Sequence, residues 1–360
     1  MKNKTPKYIY VENRIKKDIE CGDIVDRLPG ERTIAKELGI SYMTVRKAIE
    51  NLVREEILLK IPTKGTFVND SKKTRKITNN IGFFLDKTIK SGITSPYYSE
   101  IFQHLENSIL IKDYNLMFFS DIDDLYSSKK LQKVDGLIIA FFPRLESKIH
   151  KLKKIIPIVL IDNSSSDKLI PSVTIDNFNG VVDAIDYLFS LGHERLGFIS
   201  GLGDSDVGIH RLSGYSSALE GHGICEDRHL IYEGDYSYNS GAMGANYLLS
   251  LDKPPTAIMC ANDYMALGAM KEIRERGLSV PEDVSVIGFD DIEVASQVHP
   301  PLTTIAARMK DIAESSVEML ISLIEGQDPD NKHRVLPAPL IIRDSCAVPK
   351  LLREDAHHDS

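Results

Sequence analysis

A chain of 360 residues, 42% of them apolar and with a net charge of −8, is long enough for two or three domains. No apolar run of membrane-spanning length occurs, and no apolar core follows the charged Met1-Lys2-Asn3-Lys4 to make a secretion signal. The four scattered cysteines (Cys21, Cys225, Cys260, Cys346) form no C-x-x-C pair, so reduced thiols in a cytoplasmic protein are expected.

The overall acidity hides an asymmetry. Residues 1–76 carry 18 Lys and Arg against 11 Asp and Glu, while the remainder has 26 basic and 41 acidic residues. A basic head on an acidic body is expected where only the head meets phosphates.

In chain order, residues 6–20 predict a first helix with Ile9, Val11, Ile15 and Ile19 as its apolar set. Leu28–Gly39 predicts a second, opened by Pro29 and closed by Gly39. A third follows Ser41, a good N-cap, with Val45, Ile49, Leu52 and Val53 on its apolar face. Its other face leads with Tyr42, Met43, Thr44, Arg46 and Lys47, which suits insertion into a DNA major groove. Two β-branched runs, Ile57–Ile61 and Thr66–Val68, flank Pro62-Thr63-Lys64-Gly65 and predict a hairpin whose Lys64 reaches phosphates or the minor groove. Three helices and a hairpin make a winged helix-turn-helix.

This head resembles the GntR family of bacterial transcription regulators, through Leu28-Pro29-x-Glu31-Arg32, then Ser41-x-x-Thr44-Val45-Arg46-x-Ala48-Ile49-x-x-Leu52, then Lys64-Gly65-Thr66-Phe67-Val68. The resemblance implies that Arg32, Thr44 and Arg46 touch DNA, together with Ser41, Tyr42, Met43 and Lys64, and that Gly65 lets the wing approach the minor groove. Gly30 stands where the family usually has Ser or Ala, and Tyr42 where an Arg is common. A winged helix used for protein contact is the alternative reading.

Asn69–Asn80 is polar, rich in Lys and Arg, and reads either as a mobile tether or as an arm along phosphates. From Ile81 the pattern becomes strand–helix alternation. Strands are predicted at 80–85, 115–120, 135–140, 156–161, 172–175, 196–200, 256–260 and 284–289. Helices are predicted at 97–111, 179–190, 211–222, 239–251, 262–277 and 308–325. Short apolar strands between helices imply parallel sheets covered on both faces, and the number of strands implies two doubly wound lobes. Ligands in such folds bind beyond the C-terminal strand ends, here a cleft between lobes.

The body resembles the periplasmic-sugar-binding-protein-like core of LacI-type repressors. The motifs include Val134-Asp135-Gly136-Leu137-Ile138, Asp176-Asn177-x-x-Gly180, Gly192-His193-x-Arg195, Arg211-x-x-Gly214-Tyr215, Asn262-Asp263-x-x-Ala266-x-Gly268 and Val280-Pro281 through Asp291. A GntR-type head on a LacI-type body is similar to the arabinose-repressor arrangement of Gram-positive bacteria. The expected class is therefore α/β: a two-lobed doubly wound parallel-sheet sensor behind a small winged helix-turn-helix. The expected divisions are 1–69 for the head, 70–80 for the linker, 81–346 for the sensor and 347–360 for a polar tail. Within the sensor, one lobe takes about 81–175 plus 305–327 and the other about 176–304 plus 328–346.

Sugar hydroxyls need paired donors and acceptors in a dry cleft, plus an aromatic face. Candidates that follow strands are Asp162, Asp290, Asn262 and Asp263, and for Asp263 a helix N-cap is the competing role. Asp291 is read as a cap of the same kind. Arg211, at the start of a predicted helix, and Asp290 would form a charged pair that orients a neutral polyol. Tyr97 and Tyr98 either line the cleft or belong to the core. The resemblance adds Tyr236 as an aromatic stacker and Met309 as an apolar wall.

No catalytic pattern is found: there is no G-x-S-x-G, H-E-x-x-H or Walker A loop. Gly201-Leu202-Gly203 begins a dinucleotide pattern, but Asp204 and Asp206 would repel a pyrophosphate. His357-His358 sits in the polar tail, and no metal or cofactor is expected. The leading expectation is a sugar-responsive repressor that binds a near-palindromic operator as a homodimer. A solute-binding protein without a DNA role, an enzyme acting on a sugar, and a regulator responding to a nucleoside or sugar phosphate are the alternatives.

Overall fold

The computed structural model describes residues 6–350, apart from 22, 25, 63, 70–76, 88, 90–91, 128–129 and 141–142. Most of the basic linker, Thr63 at the hairpin tip, Met1–Lys4 and the tail that holds His357 and His358 lie outside the described residues.

The head is built from α1 (Lys7–Glu20), α2 (Glu31–Leu38), α3 (Tyr42–Arg54) and the antiparallel pair β1 (Leu58–Ile61) and β2 (Gly65–Val68), in register from Leu58 with Val68 to Ile61 with Gly65. Val11, Ile15, Leu28, Ile34, Val45, Ala48, Ile49, Leu52, Leu58 and Val68 close its core. Residues at i, i+3, i+4 and i+7 along α3 are therefore buried because 3.6 residues per turn stack them on one face. The second helix starts three residues later than predicted. Leu28 is instead a core residue whose N–H bonds to Thr66 O, which leaves Gly30 as N-cap.

The body has two six-stranded sheets. The first uses β3 (Asn80–Leu85), α4 (Pro96–Leu110), β4 (Asn115–Phe119), α5 (Ile122–Ser127), β5 (Gly136–Ala140), α6 (Glu146–Leu152), β6 (Ile158–Ile161) and β7 (Ser172–Ile175). The chain then builds α7 (Asn177–Ser190), β8 (Leu196–Ser200), α8 (Asp206–Gly221), β9 (Ile231–Glu233), α9 (Tyr238–Leu249), β10 (Ala257–Cys260), α10 (Asp263–Glu275), β11 (Ser285–Asp290), α11 (Glu293–Gln297) and β12 (Thr303–Ala306). It returns through α12 (Met309–Ile324), β13 (His333–Leu336) and β14 (Leu340–Ile341). Strand orders are β13-β7-β6-β5-β3-β4 and β14-β12-β11-β10-β8-β9. All neighbours are parallel except β12 with β14. Strands such as β5 (GLIIA) and β6 (IVLI) are buried along their whole length, as a sheet covered by helices on both faces requires.

Four differences from the sequence reading follow from backbone pairing. Residues 328–346 do not all return to the second lobe: β13 pairs with β7 in the first sheet, in register from His333 with Ser172. Residues 305–306 belong to β12 in the second sheet rather than to the first lobe. The linker is shorter, because Asn80 is in β3 and Asp135 accepts from Thr78 N and Thr78 Oγ1. The tail starts later, because Ala347 N donates to Ser285 Oγ and Ala347 O accepts from the His193 side chain.

Candidate functional site

On the head, the exposed face is the start of α3. Ser41 is the N-cap and accepts from Thr44 N at 3.3 Å, and the two hydroxyls lie 2.7 Å apart. Tyr42 and Met43 are exposed, Met43 at 67%. Arg46 donates to Glu50 at 2.9 Å, an exposed i, i+4 pair worth only about 0.3–0.5 kcal/mol and so easily surrendered to a phosphate. Arg32 and Lys64 are also exposed. Gly65 has φ +125°, and a Cβ there would meet Arg27 Nε at 3.1 Å, so the wing needs glycine for both conformation and space. Arg27 itself, unnoticed in the sequence, lies 5.8 Å from the centroid of the Phe67 ring and adds a cation to the wing. Glu31, salt-bridged to Lys60 at 3.0 Å, adds a carboxylate beside Tyr42.

On the body, a cavity of about 300 Å³ lies between the two sheets, at their C-terminal strand ends. It is lined by Tyr97, Asp162, Arg211, Tyr236, Asn262 and Asp290 of the predicted set, and by Tyr98, Asn163, Asn177 and Asp235 among others. Met309 is not in the lining. It is buried in the core beneath, and Ile312 one turn further along α12 forms the apolar wall in its place.

In the first lobe Asp162 takes Tyr97 Oη on one oxygen at 2.6 Å and Tyr98 Oη on the other at 3.0 Å. Burial raises the Asp162 carboxyl, and the two hydroxyls act against that rise. Burial, with Asp162 beside them, also raises both tyrosines well above the usual range, so they stay protonated donors. Tyr97 and Tyr98 thus line the cleft rather than simply filling core.

In the second lobe Arg211 is in the second turn of α8, which starts at Asp206 rather than at 211, because Ser205 caps it by accepting from Gly208 N. Its Nε donates to Asn177 Oδ1 at 2.8 Å and its Nη1 to Ala261 O. Its Nη2 faces Asp290 Oδ1 at 3.6 Å, and the guanidinium lies 3.5 Å from the Phe289 ring centroid. Burial raises Asp290 to about 7, with Arg211 opposing. Tyr236 is half-buried. Its hydroxyl is fully buried without a hydrogen bond, packed where a Cβ on Gly201 would come within 2.1 Å of it. Gly201 is thus the residue that lets this ring occupy the wall.

Three of the candidates hold left-handed backbone: Asp162 at φ +69°, Tyr236 at +65° and Asp290 at +116°. Such strain, about 1–3 kcal/mol each, collects where surrounding structure fixes side chains for binding. Asn262, rather than Asp263, is the N-cap of α10, accepting from Met265 N at 2.9 Å. Asp263 is fully buried and accepts from Ile292 N and Thr304 Oγ1. Asp291 caps no helix: its carboxylate pairs with Arg343 at 2.6 Å.

Among the described residues, hydrogen bonds cross between the lobes. Asn163 Oδ1 accepts from Val207 N at 3.2 Å, and Glu100 accepts from Glu293 N at 3.0 Å. The Asn163–Val207 bond lies in the cavity wall.

Residues 7–68 match the model of the bacterial regulatory proteins of the gntR family, and residues 185–346 match that of the periplasmic binding protein-like domain. The HTH-type transcriptional repressor CytR of Escherichia coli strain K12 is 34% identical over 266 residues, 71% of this chain and 77% of its own length. The probable HTH-type transcriptional repressor ExuR of Bacillus subtilis is 30% identical over 87% of this chain and 97% of its own. The chain belongs to the LacI-type helix-turn-helix transcriptional regulators. A solved LacI family transcriptional regulator from Enterococcus faecium, with bound ribose, superposes with TM-score 0.66 at 25% identity, over 75% of this regulator and 99% of that chain. The regulator's head is GntR-type. No helix among the described residues is long and apolar enough to cross a membrane. Sequence reasoning missed Asn163 and Asn177 at the site. Both follow strand ends and neither carries a charge; Asn177 stood in the Asp176-Asn177-x-x-Gly180 motif but was not read as a ligand residue.

Proposed function

We propose that this regulator is a repressor that grips a near-palindromic operator as a homodimer, and that a small sugar bound between its lobes sets the grip. The observation that carries the reading is the cavity, which joins buried Arg211 and Asp290 and half-buried Asp162 to three tyrosines, with a lobe-spanning hydrogen bond in its wall. Such a lining suits a ring with hydroxyl edges and an apolar face. The cavity of about 300 Å³ has room for a small ligand such as a monosaccharide or a nucleoside. The ribose-bound relative and the resemblance to arabinose repressors favour a pentose such as arabinose. Closure of the lobes on sugar would move the heads apart or together, and a coupling of about 1–3 kcal/mol is enough to switch a gene.

The test is fluorescence anisotropy of the full chain on a duplex from its own promoter region, with and without pentoses and hexoses. Salt-sensitive binding that a sugar shifts supports the reading. Salt-insensitive or sugar-indifferent binding opposes it. On the same duplex Arg46→Ala should weaken binding by about 10–100-fold and leave sugar uptake intact, since it removes one cationic contact from α3. Unchanged anisotropy with this variant would take Arg46 out of the interface.

A further inference from the structure

Most of the cavity's hydrogen-bond donors face protein acceptors before any ligand arrives, and the Tyr236 hydroxyl is the exception. Arg211 spends Nε on Asn177 Oδ1 and one Nη1 proton on Ala261 O, and its Nη2 faces Asp290 Oδ1 at 3.6 Å, so a phosphate or carboxylate reaching for it would meet the Asp290 carboxyl. The other cation in the wall, Arg144, lies 3.7 Å from Asp86. Helix N-termini are the usual anion sites of such folds, and three of them point their leading amides at protein acceptors. Asp176 takes Asn179 N on α7, Ser205 takes Gly208 N and Asn163 takes Val207 N on α8, and Asn262 takes Met265 N on α10. The acceptors stay in place: Asp162 and Asp290 both line the cavity, and Tyr97 and Tyr98, having donated their protons to Asp162, turn lone pairs outward.

We propose that this cavity selects an uncharged ligand rich in hydroxyl donors and rejects the phosphorylated or carboxylated forms of the same sugars, with Asp162 and Asp290 as the specificity-determining residues. The inference rests on the sugar reading above and narrows it. A hydroxyl ring supplies protons to Asp290 and to the tyrosine oxygens. A phosphate brings only acceptors and two negative charges against the carboxyl groups of Asp162 and Asp290. A cation is opposed by Arg211, which lies inside the same wall. Asp290, held near 7 by burial, can meet a hydroxyl as donor or acceptor around neutral pH.

The experiment is calorimetry on the full chain with matched probes: D-ribose and D-ribose 5-phosphate, D-galactose and D-galacturonate, adenosine and adenosine monophosphate, with L-arabinose added. Wild type should bind at least one neutral member about 100-fold or more tighter than its anionic counterpart, because like charges set together cost several kcal/mol. Asp162→Asn and Asp290→Asn, each checked for an unchanged circular-dichroism spectrum, should lower that ratio by about 10-fold or more. The ratio reports charge discrimination and is not moved by a loosened fold that weakens both members alike. An anionic member that binds wild type more tightly than its neutral form overturns the inference and leaves the sugar reading standing. An undiminished ratio in both folded variants overturns it too, by assigning the rejection to shape. If one variant does not fold, the other decides. Binding of no member in either form overturns the sugar reading and this inference with it.

Discussion

Arg211→Ala is expected to destabilise the sensor by about 3 kcal/mol and to abolish the effector response. The side chain is 5% exposed and holds Asn177 Oδ1, Ala261 O and Asp290 together beneath the cavity. Alanine leaves two buried acceptors without donors, at roughly 1–3 kcal/mol each. The third partner costs less, because Asp290 already titrates near 7 and would take up a proton in place of the lost cation. The loss of the guanidinium from the Phe289 ring adds to the deficit. Urea unfolding of the sensor at pH 7.5 measures it. A change below about 0.5 kcal/mol would mean that the pocket refills with water or that Arg211 is not part of a fixed network.

Asp290 gives the second large effect, in two readouts. Asp290→Ala should keep operator affinity and lose sugar binding by calorimetry, because the cavity loses its buried acceptor while the head is untouched. Asp290→Asn should flatten the dependence of stability on pH. In the native protein this carboxyl keeps its proton up to about 7, whereas in the unfolded chain it releases it near 3.8. Between those values the native state binds more protons, so the wild-type contribution from this group is largest at low pH and falls as pH rises from about 4 to about 7. The Asn variant lacks that fall. Asp162, raised by burial, keeps its own slope in both proteins, whereas Asp263, raised by burial and then by the charge of Asp290, titrates somewhat lower in the variant. Thermal melts from pH 4 to 8 compare the two. Parallel curves would show that Asp290 is ionised throughout and that water reaches it.

The head was readable almost residue by residue, because its information is local. A single capping hydroxyl at Ser41 and an apolar stripe at helical spacing fix α3, and what the stripe leaves over is the exposed face proposed to meet DNA. The eight sheet strands that were predicted were legible for a similar reason: each is a short, largely apolar run, and all but the edge strand β4 are buried along most of their length. The strands that escaped are β9, β12, β13 and β14. In the first, third and fourth of these, side chains are partly exposed and the sequence is mixed, so no run stands out from loop. β12 (TTIA) is buried but short, and two of its four residues are threonine.

What the sequence determined by itself was the pairing of a basic winged helix with an acidic body of alternating strands and helices, together with the residue types that would face a polyol. Periodicity and charge density are properties of neighbours along the chain and need no fold to be read. The tertiary structure alone decided which lobe receives β13, that Asn262 and not Asp263 caps α10, that Ile312 replaces Met309 in the wall, and that Arg211 Nε and Nη1 are held by Asn177 and Ala261. Each of those depends on backbone groups far apart in sequence finding one another, such as Arg211 with Ala261 or His333 with Ser172. Burial then forces such groups to be satisfied, because an unpaired polar group away from water costs more than any local preference can supply.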